Sequence, residues 1–311
     1  MTETLYDGPI VDAHHHLWDL SMGKHPWLSP NSPVPLPGLE DLRHDFLVDD
    51  YLRDSAQHNV VGTVHVEALW DAADPLGETR WLETLDKSRS IAARYVAGAA
   101  LGTPASADLI AAQAACERVA GVRGILSHHP HDASKSFVHR ADLGYDKHWR
   151  RDVAHVRDAG LHLELMMYPY QAEIVHDLAG AFPDLQIVVN HCGSPIDRDE
   201  GGMQRWRDGL MLVAKRPNTA LKISNPGAYD PDWTFESIRG VVLDCIRAFG
   251  AERCMFGTDY PVARLQMDYD AIYDNFKRSV ANFSAADQRA LFHDNAVRIY
   301  RFGMTGPATR R

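Results

Sequence analysis

Short apolar, β-branched runs alternate along this chain with longer stretches of helical periodicity. Eight runs read as strands, at residues 10–16, 60–67, 95–98, 121–126, 161–167, 185–191, 219–224 and 253–259. Between them, residues 146–160 place Trp149, Val153 and Val156 at i, i+4 and i+7, the spacing of one buried helical stripe. Gly160 stands where a C′ glycine ends such a helix. Residues 105–120 read as an Ala-rich helix with a polar face. Residues 284–302 read as a last helix opened by a Ser284/Asp287 capping-box variant. Strands separated by helices predict an α/β fold, a parallel (β/α)8 TIM barrel forming a single domain over 1–311.

Residues 17–45 break the alternation. They hold Trp18, His25, Trp27 and five prolines, Pro26, Pro30, Pro33, Pro35 and Pro37. Because this Pro/Trp-rich loop follows the first strand, it would lie over the C-terminal mouth of the barrel. It reads as a wall or partial lid of a pocket, or as an excursion covering apolar rim.

The 311 residues carry 32 Lys+Arg against 42 Asp+Glu, a net charge of −10. No basic excess is present to displace counterions from a phosphate backbone, so nucleic acid is not the expected partner, nor is an anionic membrane. Hydrophobic residues are 45% and charged residues 24%, a composition that folds rather than staying disordered. No apolar run reaches membrane-spanning length. The acidic start MTETLYDGP lacks the apolar core of a signal peptide. Cys116, Cys192, Cys245 and Cys254 show no metal-ligand spacing and read as reduced thiols, so the expected compartment is cytoplasmic. The departure from the average is 17 histidines, clustered at 14–16 and 128–131.

In Asp12-Ala13-His14-His15-His16, the period of two points His14 and His16 to one face and His15 to the other. Two imidazoles projecting into a barrel make half of a divalent metal site. Asp259, in Gly257-Thr258-Asp259-Tyr260-Pro261, ends the last strand, next to the first. A carboxylate there can bind metal or take a proton from water, or can merely cap the following helix, which Tyr260-Pro261 makes awkward. His191 ends the sixth run. It can ligate metal or donate to a developing oxyanion. Glu67 shares a face with His65. It joins the site as a fourth ligand if that face is the lumen, and otherwise faces the helices. Arg123, His128, His129 and Arg264 can clamp an anionic substrate, although Arg123 can equally pair with a neighbouring acid. Trp27 and Tyr168 are candidates for an aromatic pocket wall.

These motifs, with Gly121-Val122-Arg123-Gly124, Asn190-His191-Cys192-Gly193, His25-Pro26-Trp27-Leu28 and Asn295-Ala296-Val297-Arg298-Ile299-Tyr300, carry a resemblance. The chain resembles the amidohydrolase superfamily, in the amidohydrolase-related branch that includes sugar-acid lactonases, sulfomuconolactone hydrolase and 2-pyrone-4,6-dicarboxylate lactonase. The resemblance implies the barrel, with His14, His16 and Asp259 at metal-ligand or water-handling positions and His191 as the strand-six histidine. It implies a hydrolase opening a small, anionic lactone by water attack, with Asp259 as general base. The implied cofactor is one divalent metal, zinc first, although metal-free relatives exist. A homo-oligomer is a family-level expectation. Two departures argue against a binuclear centre: strand four offers Arg123 in place of a bridging lysine, and strand five ends in Leu165-Met166-Met167 without a histidine. The alternative is a metal-dependent decarboxylase of an aromatic or muconate-type acid, a reaction that related barrels generally perform with that missing histidine.

Overall fold

The computed structural model describes residues 5–32, 36 and 38–303. Eight parallel strands run in the order of the chain: β1 (Ile10–His15), β2 (Val60–Val66), β3 (Arg94–Gly98), β4 (Val119–Ile125), β5 (His162–Met166), β6 (Ile187–Val189), β7 (Thr219–Ser224) and β8 (Cys254–Gly257). The helices are α1 (Val48–Asp54), α2 (Gly77–Thr84), α3 (Ser106–Ala114), α4 (Lys147–Asp158), α5 (Ala172–Ala181), α6 (Glu200–Ala214), α7 (Phe235–Phe249), α8 (Tyr269–Ser279), α9 (Ala285–Arg289) and α10 (Asn295–Tyr300). This is the (β/α)8 barrel expected from the alternation.

The barrel closes just past the ends of β1 and β8. Asp259 N–H donates to His14 O at 2.7 Å, and His16 N–H to Tyr260 O at 2.8 Å. Asp12 Oδ1 accepts from Thr258 N–H at 2.9 Å. Gly257 is required at this seam, since a Cβ there would stand 2.8 Å from His14 N.

Val11, Ala13, Val64, Val66, Val96, Val188, Ala220 and Met255 fill the lumen together with Ala296, Ile299 and Tyr300 of α10. The C-terminal helix therefore plugs the barrel floor, and the lumen is a packed core. A second, larger cluster packs the helices on the outer strand faces, including Trp149, Val153 and Val156 of α4. Asp146 caps α4, and Gly160 follows it at φ 72°.

Two elements differ from expectation. The helix read at 105–120 stops at Ala114, because Val119 pairs with Tyr95 and opens β4. The last helix is interrupted by a π-helical segment, Ala290–Asp294, between α9 and α10. Of the loop after β1, Trp18 bridges to Phe46 with two backbone hydrogen bonds of 3.0 Å, and Trp27 Nε1–H donates to Ala68 O at 2.7 Å. That part walls the β1–β2 side of the mouth, while Pro33, Pro35 and Pro37 lie outside the described residues. Among the described residues, no helix is long and apolar enough to cross a membrane.

Candidate active site

A bulge in β1 puts two histidines on the site. Asp12 pairs with Thr63 and His15 with His65, so β1 spends three residues where β2 spends two. Val11 and Ala13 face the lumen before the bulge. After it, His14 and His16 face the mouth. His15 turns outward, its Nε2 2.8 Å from Thr63 Oγ1.

His16 Nδ1 lies 2.7 Å from Val66 O. A carbonyl can only accept, so Nδ1 carries the proton and Nε2 of the neutral ring is bare. That Nε2 is 3.0 Å from Asp259 Oδ1, and His14 Nε2 is 3.3 Å from the same oxygen. Among the described residues, neither His14 ring nitrogen has a hydrogen-bond partner. One donor atom from each of His14, His16 and Asp259 lies within 4.8 Å of the others. Lone pairs converging in a buried space need a cation between them, a proton or a divalent metal. Two imidazole nitrogens and a carboxylate oxygen form a donor set that suits zinc and leaves a coordination position open.

Asp259 is held from its other side. Asn225 Nδ2–H donates to Asp259 Oδ2 at 2.9 Å. Burial pushes the Asp259 carboxyl up, but His191, His16 and this amide outweigh it and hold the group below the usual carboxylate range. His191 Nδ1 sits 3.0 Å from Ser224 Oγ and 4.0 Å from Asp259 Oδ2. Its Nε2 faces Arg123 Nη2 at 3.4 Å. Arginine only donates, so the neutral His191 ring is protonated on Nδ1. Burial, with Arg123 adding to it against the pull of Asp259, lowers the His191 pKa to about 4. Burial also drops His14 well below the ordinary value, with Lys222 the next cause. His191, Cys192, Ser194, Asn225 and Asp259 all adopt left-handed φ of 43–63°. Such strain in non-glycine residues collects where geometry serves a site.

Beneath the mouth lies a second polar cluster. Glu164 on β5 accepts from Tyr300 Oη–H at 2.6 Å and from Asn190 Nδ2–H at 2.8 Å, and pairs with Lys222 Nζ at 2.7 Å. Burial lowers the Lys222 pKa to about 8 despite Glu164.

The structure brings His14, His16, His191, Asp259 and Arg123 together. Glu67, expected as a possible fourth ligand, instead sets Oε1 3.3 Å from Arg123 Nη1 and Oε2 2.9 Å from Leu69 N. Its strand ends at Val66, whose neighbours Val64 and His65 face in and out respectively. Glu67 stands just past the strand end, and Leu69, at φ 52°, turns its N–H onto Glu67 Oε2. His128 is tied through its backbone to Gln171, and His129 Nε2 faces Asp197 Oδ1 at 3.1 Å. Tyr168 Oη–H donates to Lys135 O. Arg264 lies against Asp54, His44 and Tyr260, on the outer rim. Sequence reasoning missed Asn225, Ser224, Glu164 and Lys222. The signal for the first two was a polar pair ending the seventh run; for the others it was a charge at inward parity in an apolar run.

A parallel barrel with a His, His, Asp centre at its C-terminal mouth defines a class of metal-assisted or acid–base hydrolytic enzymes. The chain belongs to the amidohydrolase family, whose model matches residues 11–302. It is 34% identical to an uncharacterized protein, y4mH, of Sinorhizobium fredii over 95% of this chain and 99% of that one. It is 26% identical to an L-fucono-1,5-lactonase of Burkholderia multivorans over 93% of this chain and 95% of the relative. Its fold is similar to a zinc-bound amidohydrolase crystal structure from Burkholderia multivorans, with TM-score 0.78, 23% identity and coverage of 94% and 99%.

Proposed function

We propose that the chain hydrolyses a small lactone ring, with Asp259 as the general base. The observation that carries this is the division of the Asp259 carboxylate: Oδ2 is fixed by Asn225, and Oδ1 is turned to His14 and His16. Asp259 takes a proton from water, and the resulting hydroxide attacks the lactone carbonyl. Arg123 offers N–H groups to the carbonyl oxygen or to a carboxylate or sulfonate on the ring. His191, with its proton on Nδ1, orients this side of the site through Ser224. The ring C–O bond then breaks, Asp259 returns its proton to the leaving oxygen, and the new carboxylic acid ionises. One zinc ion held by His14, His16 and Asp259 would polarise the carbonyl and make water more acidic. The lactonase named among the relatives supports this reading. The alternative, a decarboxylase, finds Met166 at the end of β5 where such barrels generally use a histidine. Four free thiols support a reducing, cytoplasmic setting.

The test is proton release across sugar-acid lactones, muconolactones bearing carboxylate or sulfonate, and pyrone dicarboxylate, each with and without chelator. Turnover of at least one ring is expected, lost on chelation and restored by zinc. Silence with zinc supplied, together with CO₂ release from an aromatic acid, would replace this reading with the alternative. Arg123→Met should raise KM for an anionic lactone about tenfold more than for a neutral one. Equal effects would remove Arg123 from anion recognition.

A further inference from the structure

Arg123 is a buried cation without a short hydrogen bond among the described residues. Its side chain is 7% exposed. Its nearest partners are Glu67 Oε1 at 3.3 Å, Met166 Sδ and His191 Nε2 at 3.4 Å, and Glu67 O at 3.5 Å. Its Nε has no hydrogen-bond partner among the described residues. A guanidinium settled in a structural role binds a carboxylate through two bonds of roughly 2.8 Å. Glu67 is its one carboxylate partner among the described residues, and it offers a single oxygen, at 3.3 Å. The other oxygen is tethered by Leu69 N–H at 2.9 Å. The turn that carries Leu69 thus keeps Glu67 from closing the fork. The pair reads as a neutralised but underfilled anion site at the mouth.

We propose that Glu67 is a resident counter-ion of Arg123 that competes with the carboxylate of the ring-opened product and so promotes its release. The proposal rests on the lactonase reading. Hydrolysis converts an uncharged ester to a carboxylate plus a hydroxyl and releases one proton, so the product always carries one negative charge more than its lactone. A fixed carboxylate beside Arg123 therefore disfavours the product more than the lactone. This gives Glu67 a reason to stand at the mouth without belonging to the His14, His16, Asp259 centre.

The experiment is calorimetric titration of the purified protein with gluconate, an open-chain hydroxy acid, and with sorbitol, its uncharged counterpart. Zinc affinity is measured alongside. Glu67→Gln should bind gluconate about tenfold tighter than wild type, with no matching gain for sorbitol. Glu67→Asp keeps the charge but draws it back from Arg123, and should gain about two- to threefold. It carries the test if the uncompensated guanidinium of Glu67→Gln prevents folding. Zinc affinity should stay as in wild type. No gain for gluconate in a folded variant, or an equal gain for sorbitol, overturns the proposal. So does a fall in zinc affinity, which would make Glu67 a ligand. Arg123→Met binding gluconate as well as wild type would instead sink the anion role of Arg123. Failure of the lactone panel with the gluconate result intact would sink the lactonase reading and leave the counter-ion.

Discussion

The lumen of this barrel holds two buried polar clusters, floor and mouth, built on opposite rules. In the floor, Glu164 accepts hydrogen bonds from Tyr300 at 2.6 Å and Asn190 at 2.8 Å and forms an ion pair with Lys222 Nζ at 2.7 Å. In the mouth, the Nε2 atoms of His16 and His14 face one carboxylate oxygen at 3.0 and 3.3 Å, and among the described residues Arg123 has no polar partner closer than 3.3 Å. A buried charge that finds its partners inside the chain is structure. One left short of partners is held ready for something outside it. The difference separates two groups that look alike by burial alone. It also predicts that substitutions in the floor should cost stability, and those in the mouth should cost turnover.

The largest expected effect tests the mouth. Asp259→Asn should lower turnover at least about 10³-fold, the scale of a positioned general base, while the urea midpoint moves little. Residual activity within a few-fold of wild type would break the assignment of the base. Next comes the floor. Lys222→Met strands the Glu164 charge and should cost about 3–5 kcal/mol in urea denaturation. A stability near wild type would erase the distinction between the clusters.

The same variant has a pH signature. Burial raises the Glu164 carboxyl, but Lys222 and His162 outweigh it and hold it below its ordinary value of 4.5. A depressed folded pKa stabilises above the unfolded value and is lost as pH falls. Wild type should therefore lose stability below about pH 4.5 on this account. In Lys222→Met burial acts without that opposing charge and pushes the Glu164 carboxyl up, so stability should rise as pH falls toward about pH 4.5 and level off below it. Unfolding midpoints from pH 7 to 3 distinguish the two slopes. The smallest effect is Tyr300→Phe, which removes one hydrogen bond to a buried carboxylate. It should cost about 1.5–3 kcal/mol with kcat close to wild type. A large fall in kcat would mean that floor and mouth are coupled.

Much of this was legible before folding. The eight runs became the eight strands, because β-branched residues between helical stretches leave a parallel sheet few alternatives. His14 and His16 on one face followed from the period of two, although that period alone, counted from Val11, would have sent His15 inward. The bulge in β1 reversed the facing, and nothing in the local residues marks it. Asp259 was legible as a strand-end acid. Asn225 was not, since its relation to Asp259 spans 34 residues and two strands. Glu67 shows the same limit: the strand parity is readable, but its pairing with Arg123, 56 residues on, is not.

By itself, then, the sequence determined the barrel, a capped last helix and the inventory of histidines and acids at the strand ends. These are set by local periodicity and burial, which act over a few residues. The tertiary structure alone decided which of those groups meet, which ring nitrogen is bare, and which charge has its partners. Those depend on closing β8 against β1, a contact between residues 246 positions apart in the case of Asp12 and Thr258, and on distances of tenths of an ångström that no spacing along the chain encodes.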